Sequence, residues 1–284
     1  MASVQCPGSA RPSETLAEAA TSGNTTAHAE KGDPMNTQSI TQRIEAKDWD
    51  LLERPPSPQQ ASEVVTMLGH GDPEVRELAV SLLARMDGPA AKTGLLRALD
   101  DENQMVRAVA ARGLHQHCSR ADVPVLVDLL HKHDDDYVRE QVALLLGKLG
   151  EQAAVQPLRK QFAGEGYPDA KHAMSLALAR LGDAEQRQAY LARLAQNDPA
   201  VRVAALEDLP YVNDRTLAPY VVPMLDDPRD AKNVGPSHGP FWIRVCDVAV
   251  SSLDVLLDQP FPFKVEFAKR YTPAELDQAR AKLK

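Results

Sequence analysis

Aromatic residues make up only 5% of the 284-residue chain, and there are three cysteines. Cys6, Cys118 and Cys246 lie far apart and form no C-x-x-C pair, which argues against a disulfide scaffold or a thiolate metal centre and for a reducing, cytoplasmic setting. No apolar run approaches the roughly 20 residues that cross a bilayer, so no membrane role is expected. There is no G-x-S-x-G, no glycine-rich phosphate loop and no H-E-x-x-H, and the chain is read as a non-enzyme without a cofactor. Positive charge is also short: 32 bases stand against 40 acids, a formal charge of −8. A net-acidic chain repels phosphate, which excludes nucleic acid as the main partner. In abundance are 40 alanines and 33 leucines, the residues at the top of the helix scale, so the composition points to an all-α protein.

Residues 1–34 are rich in Ser, Thr, Ala, Gly and Pro, with few bulky apolar residues. Such a stretch cannot bury enough surface to offset its ordering entropy, and it lacks the continuous apolar core of a secretory signal. It is read as a disordered leader, with the folded part opening at Met35.

Beyond it an apolar residue followed by a base recurs: Val75-Arg76, Val106-Arg107, Val138-Arg139, Ala170-Lys171, Val201-Arg202 and Ile243-Arg244, spaced by 31, 32, 32, 31 and 42 residues. A period in this range marks stacked supersecondary units. Each unit holds two helices. In the third unit Val138, Val142, Leu145, Leu146 and Leu149 form one stripe of a 3.6-residue helix, and Ala170, Met174, Ala177, Leu178 and Leu181 repeat the offsets in the fourth. Asp72, Asn103, Asp135 and Asp198 each stand four residues before their Arg and suit the N-cap. Pro73 and Pro199 fit the first helical position, and Gly150 and Gly182 fit left-handed C-caps. The spacing predicts first helices over about 57–69, 89–100, 121–132, 151–163, 184–196 and 213–226. Second helices follow over about 73–86, 103–117, 135–149, 168–181, 199–209 and 240–257.

The pattern D-P-x-V-R-x-x-A, seen in DPEVRELA at 72–79 and again as NDPAVRVAA at 197–205, resembles the HEAT repeat. The short period is similar to that of the HEAT-like repeats named after the phycobilisome lyases. The resemblance covers about 57–257. It implies an armadillo-type α-α superhelix of about six helix pairs, with the second helices lining a concave face. Residues 35–56, with Ile40, Ile44, Trp49 and Leu52, are read as an N-terminal capping helix. Residues 258–284 are read as a C-terminal cap, in which Thr272, Pro273 and Glu275 start a short helix packed through Leu276 and Leu283. Phe261, Phe263 and Phe267 would seal the last repeat. The fourth unit departs from the pattern, with Ala170-Lys171 and with Gly164, Gly166 and Pro168 ahead of it.

The recurring arginines admit two readings, a row that binds an acidic partner or a ladder between repeats. The resemblance implies the second, with Asp72, Arg76, Arg107, Asp135, Arg139, Asp198 and Arg202 as its members. His115, His117 and Cys118 end one second helix, while His131, His133 and Asp134 end the following first helix. An intervening helix of about 11 residues spans about 16 Å, which separates the clusters too far for one zinc ion. The HEAT-like family also includes a di-iron hydroxylase built on His-Glu pairs, and no His-Glu dipeptide occurs here. No metal site is expected.

Off the core stripe, the second helices carry Arg112, Leu144, His172, Leu176 and Leu206 towards the expected concave face. The three leucines, in successive repeats, are either an apolar partner groove or residues buried by tight curvature. The ten extra residues of unit six fall in 226–240, with Arg229 and His238, where an insertion would decorate one face. The function expected is a monomeric protein-binding scaffold or adaptor. The alternatives are a chromophore-handling subunit of the bilin lyase kind, as the repeat's name implies, and a bacterial regulatory or immunity-type protein that blocks one target.

Overall fold

The computed structural model describes residues 38–233, 242–257, 260–266 and 268–282. The disordered-leader reading of 1–34, and the readings of His238, Phe267 and Leu283, lie outside the described residues. The chain divides after Gln38, and the unit Ser39–Lys284 carries the fold. That fold is an all-α solenoid of stacked helix pairs.

It opens with α1 (Ile40–Glu45), started by a Ser39–Gln42 capping box. The capping helix expected over 35–56 stops there. Lys47 turns left-handed at φ 55° and Asp48 caps a separate 3₁₀ turn, Trp49–Leu52. Ile40, Ile44 and Leu51 reach the core, while Trp49 stays 40% exposed.

The pairs follow: α2 (Ala61–Thr66) with α3 (Pro73–Leu83), α4 (Pro89–Ala98) with α5 (Gln104–His117), α6 (Val123–Lys132) with α7 (Asp136–Leu149). After these come α8 (Val155–Gly164) with α9 (Pro168–Arg180), and α10 (Ala184–Leu194) with α11 (Pro199–Val212). The caps form where the sequence places them. Asp72 accepts from Glu74 N at 3.0 Å, Asn103 from Met105 N at 2.8 Å, Asp135 from Val138 N at 3.1 Å and Asp198 from Ala200 N at 2.8 Å. Gly150 and Gly182 close α7 and α9 at φ 75° and 84°, where a Cβ would be strained.

Each inner second helix, α5 to α11, packs on its own first helix and on the second helices of both neighbours, and α7 against α9 is the most extensive of these contacts. Flanked on three sides, a second helix buries a wider arc than a single stripe. Accordingly Ala110, Ala111 and Leu114 of α5, or Leu145 and Leu146 of α7, are almost wholly enclosed.

The sixth unit departs from expectation. Its first helix, predicted over 213–226, is broken into a 3₁₀ turn Arg215–Leu217, one turn of α12 (Ala218–Val221) and a second 3₁₀ stretch Val222–Asp226. Pro219 and Pro223 each remove a ladder donor, which favours short turns over a continuous helix. The insertion contributes a strand, β1 (Asp230–Asn233), paired antiparallel with β2 (Trp242–Arg244). The sixth second helix therefore begins at α13 (Val245–Leu256), not at 240. Finally Thr272 and Glu275 form their reciprocal box at the start of α14 (Pro273–Lys282), and Leu276 packs inward. Phe261 and Phe263 stack at 5.3 Å against this end.

Candidate functional site

The side chains singled out from the sequence serve two different ends. The arginines after the helix starts form a repeated clamp. Each guanidinium donates to the carbonyl six residues earlier and to a carboxylate of the next unit. Arg76 reaches His70 O at 2.9 Å and grips Asp101 bidentately at 2.8 and 2.9 Å. Arg107 reaches Asp101 O at 2.8 Å and Asp135 at 2.7 Å. Arg139 reaches His133 O at 2.9 Å and Glu165 at 2.8 and 3.0 Å. Arg202 holds Gln196 O and, at 2.8 Å, Asp227. The acids differ from those expected in three of the four clamps: Asp101, Glu165 and Asp227 precede the cap or follow the first helix. Asp72 pairs with Lys47 at 2.8 Å, and Asp198 serves its own helix as a cap.

Glu165 explains how the fourth unit keeps its place without a capping Asp. It accepts from Gly166 N and Tyr167 N at 3.0 and 3.1 Å while paired with Arg139. Arg139 beside it, with those amides, holds its carboxyl at about 2, well below the usual carboxylate range. Asp227 is lowered to about 2 in the same way, chiefly by Arg229 and then by Arg202. In the sixth unit Arg244 is itself the cap residue. It pairs with Asp247 at 2.6 Å and donates to Tyr271 O at 2.7 Å, so it ties the C-terminal segment down instead of reaching a further repeat.

A second ladder, which the sequence reading missed, links the first helices and their turns. Lys92 pairs with Asp122 at 2.8 Å, Arg120 with Glu151 at 3.2 Å, Arg159 with Asp183, and Arg187 with Asp214 at 3.1 Å. Each cation finds an acid 24 to 31 residues on, a repeat-length spacing that would have revealed it.

The histidines are also ties between units. His133 accepts from Asp135 N through Nδ1 and donates from Nε2 to Leu99 O at 2.9 Å. His117 donates to Ala84 O, and His115 to Gln141 O. Burial, with Lys148 nearby, pushes the His115 imidazole below its ordinary value. Among the described residues no three His, Cys, Asp or Glu side chains converge as a metal site.

The five second-helix residues separate. Leu206 is 0% exposed and Leu176 is 6% exposed, so the expected apolar row is not an open groove. Leu206 is covered by α13, whose Ser252 hydroxyl donates to Leu206 O at 2.9 Å. Leu144 is half-buried, and its carbonyl accepts from Tyr211 Oη at 2.7 Å. The physical reason is the close stacking of second helices: Gly147 leaves room for both Tyr211 and Ala177, whose Cα would lie 2.8 Å from an added Cβ. Tyr211 thereby reaches from α11 past α9 to α7. His172 is exposed but bonded to Asp208 at 3.1 Å, a carboxylate that Arg193 also engages at 2.8 Å. Arg112 is exposed, and among the described residues no hydrogen bond or ion pair engages it.

Two clefts open on the second-helix side. One, of about 250 Å3, lies between α11 and α13 and is largely apolar: Pro210, Ile243, Val248 and Val255 line it beside Leu206. Val255 is 53% exposed. The other, of about 290 Å3, lies between α3 and α5 and takes in Arg85 and Arg112. No helix among the described residues is long and apolar enough to cross a membrane.

Paired helices stacked through recurrent caps and inter-unit clamps define an α-solenoid repeat protein. Over residues 43–179 the chain matches the family model described as HEAT repeats, at 43–115 and 93–179. Bovine deoxyhypusine hydroxylase (Bos taurus) is 27% identical over 166 residues, 58% of this chain. The match spans about half, 52%, of that relative's length. Among solved structures, the complex of CpcE and CpcF of phycocyanin lyase from Nostoc aligns with a TM-score of 0.51 at 18% identity, over 92% of this chain and 100% of that one, a likeness of fold. Human deoxyhypusine hydroxylase, in complex with glycerol, aligns at a TM-score of 0.38 and 16% identity, over 70% of this chain and 85% of that one.

Proposed function

We propose that the chain is a protein-binding scaffold or adaptor and that the exposed side of its second helices is the working surface. The observation that carries this is the apolar cleft between α11 and α13, where Pro210 and Val255 are exposed and Val248 half-buried while the leucines around them are buried. Apolar surface left accessible on a protein of ample core is the signature of a partner site. The contribution of Leu144, Leu176 and Leu206 is to hold this surface from beneath, whereas Arg112 and His172 lie on it. The CpcE–CpcF structure is itself a complex of two chains, which agrees with a protein partner.

Val255→Asp tests the reading. The full chain and the variant are each used to isolate the partner from native extract, and the complexes are sized by gel filtration. A single stoichiometric partner held by the wild type and lost from the folded variant supports the reading. A partner retained equally by both contradicts it. The name of the phycocyanin lyase suggests chromophore handling as the second reading; a red-shifted absorbance on adding free bilin would favour it over the scaffold.

A further inference from the structure

The cleft between α3 and α5 differs in charge from its surroundings. Its lining is Leu52, Ser81, Ala84, Arg85, Val109, Arg112, Gly113 and Gln116: two guanidiniums, two neutral hydrogen-bonding side chains, an apolar floor and no carboxylate. In a chain with eight more acids than bases this is a local reversal. The open hollow between the α4–α5 and α6–α7 turns shows the contrast, since Asp100, Asp134, Asp135 and Asp136 outnumber Arg107 and Lys132 there. The arginines of the clamps are matched by carboxylates; Arg112 is not. Arg85 is anchored through Nη1 to Leu52 O at 2.7 Å, which fixes one wall. Gly113 lets α5 lie close on α3, because a Cβ there would sit 2.9 Å from Ala84 Cβ. The floor is thus built by backbone proximity, and the charges stand at its rim.

An exposed, unmatched guanidinium beside a second one presents a fork of donors to an incoming anion. The net charge of −8 opposes an extended polyanion, whereas a single carboxylate feels mainly the near pair. The apolar floor of Leu52, Ala84 and Val109 suits the methylene stem of an acidic side chain. We propose that this cleft receives an aspartate or glutamate side chain of the partner protein. Arg112 and Arg85 form the cationic pair, and Ser81 and Gln116 the neutral donors. The proposal deepens the reading of the second-helix side as a partner surface and rests on it: it names the chemistry of the partner at the end opposite the apolar cleft.

The test uses the full chain and a labelled peptide alternating Glu and Ala, with its Gln and Lys counterparts, followed by fluorescence anisotropy at low salt. The Glu peptide is expected to bind about tenfold more tightly than the Gln peptide, as a charge-assisted pair replaces a neutral one. Arg112→Ala loses about that factor with unchanged circular dichroism, and Arg112→Lys keeps part of it. Arg112→Glu transfers the preference to the Lys peptide. Equal binding of Glu and Gln peptides, or an Arg112→Ala variant that binds as the wild type does, overturns the proposal. So does displacement of the Glu peptide by inorganic phosphate more readily than by free glutamate, which would assign the cleft to phosphate. A stoichiometric partner lost on Val255→Asp but kept on Arg112→Glu would leave the scaffold reading standing and remove this one. Glu-peptide selectivity with no native partner would remove both readings and leave only a carboxylate-selective cleft.

Discussion

Tyr211 and Gly147 make a contact that a regular repeat would not need, and its energetics can be worked out. The Tyr211 hydroxyl crosses to α7 and donates to Leu144 O at 2.7 Å, and burial pushes its phenol well above the ordinary value. Gly147 lies beneath it. A Cβ at 147 would press on Tyr211 Oη and sit 2.8 and 2.9 Å from Ala177 Cα and Cβ. Since Ala177 Cα is backbone, no rotamer change relieves that contact, and Gly147→Ala should cost about 1–3 kcal/mol by overpacking. Tyr211→Phe removes one buried hydrogen bond, while the Leu144 carbonyl keeps the donor of its own helix, for about 0.5–1.5 kcal/mol. The two are coupled: in Gly147→Ala the hydroxyl is already displaced, so losing it adds little. The double variant should be more stable than the sum of the singles by about 0.5–1.5 kcal/mol, yet remain below either single because the clash with Ala177 persists. Urea unfolding by circular dichroism reads this, with the slope checked for loss of cooperativity between repeats. Strict additivity, or a neutral Gly147→Ala, would refute the close approach of α7, α9 and α11.

Glu165 is lowered from about 4.5 to about 2, so its pairing stabilises the fold above about pH 4.5 and is lost as the pH falls towards 2. The shift corresponds to about 3 kcal/mol, and Glu165→Gln should flatten that part of the acid limb in urea titrations. Arg139→Met leaves a buried carboxylate without its partner and should cost about 3–5 kcal/mol at pH 7, where a cost under about 1 would show the clamp to be ornamental. Leu206→Asp, with a charge placed in a fully enclosed site, should unfold the chain rather than selectively lose a partner. A folded Leu206→Asp variant would restore the groove reading. Asn103→Ala should lower stability by about 1 kcal/mol through loss of its bonds to Met105 N and Val106 N, measured in the same way.

What the sequence disclosed was what depends on near neighbours. Caps at Asp72, Asn103, Asp135 and Asp198 and left-handed ends at Gly150 and Gly182 follow from side-chain reach and Cβ sterics within one turn, and the structure has them all. The period of the Val-Arg pairs disclosed the stack because each pair recurs where a unit meets the next. What escaped involved contacts across units. Leu206 stands five residues after Val201, an offset that is buried at Val80, Ala111 and Ala143 as well, whereas Leu144 and Leu176 stand six after Val138 and Ala170, so the three leucines do not form one row. Tyr211 was unremarkable until a glycine two repeats earlier gave it a slot. Asp101 and Glu165 lie 25 and 26 residues beyond their arginines, outside the helix-start positions that Asp72, Asp135 and Asp198 hold. In the sixth unit Ile243-Arg244 matches the motif in letters but sits on β2 and the cap, where the insertion pulls the helix start to Val245.

The central claim is that a partner is held on the exposed side of the second helices. Oxidative side-chain footprinting of the isolated native complex against the free chain measures it. Protection of Val255, Pro210 and Val248, extending to the cleft of Arg85 and Arg112, is the predicted result. Protection confined to the first helices, at Val125 of α6 and Tyr220 of α12, with Val255 as reactive as in the free chain, would contradict it.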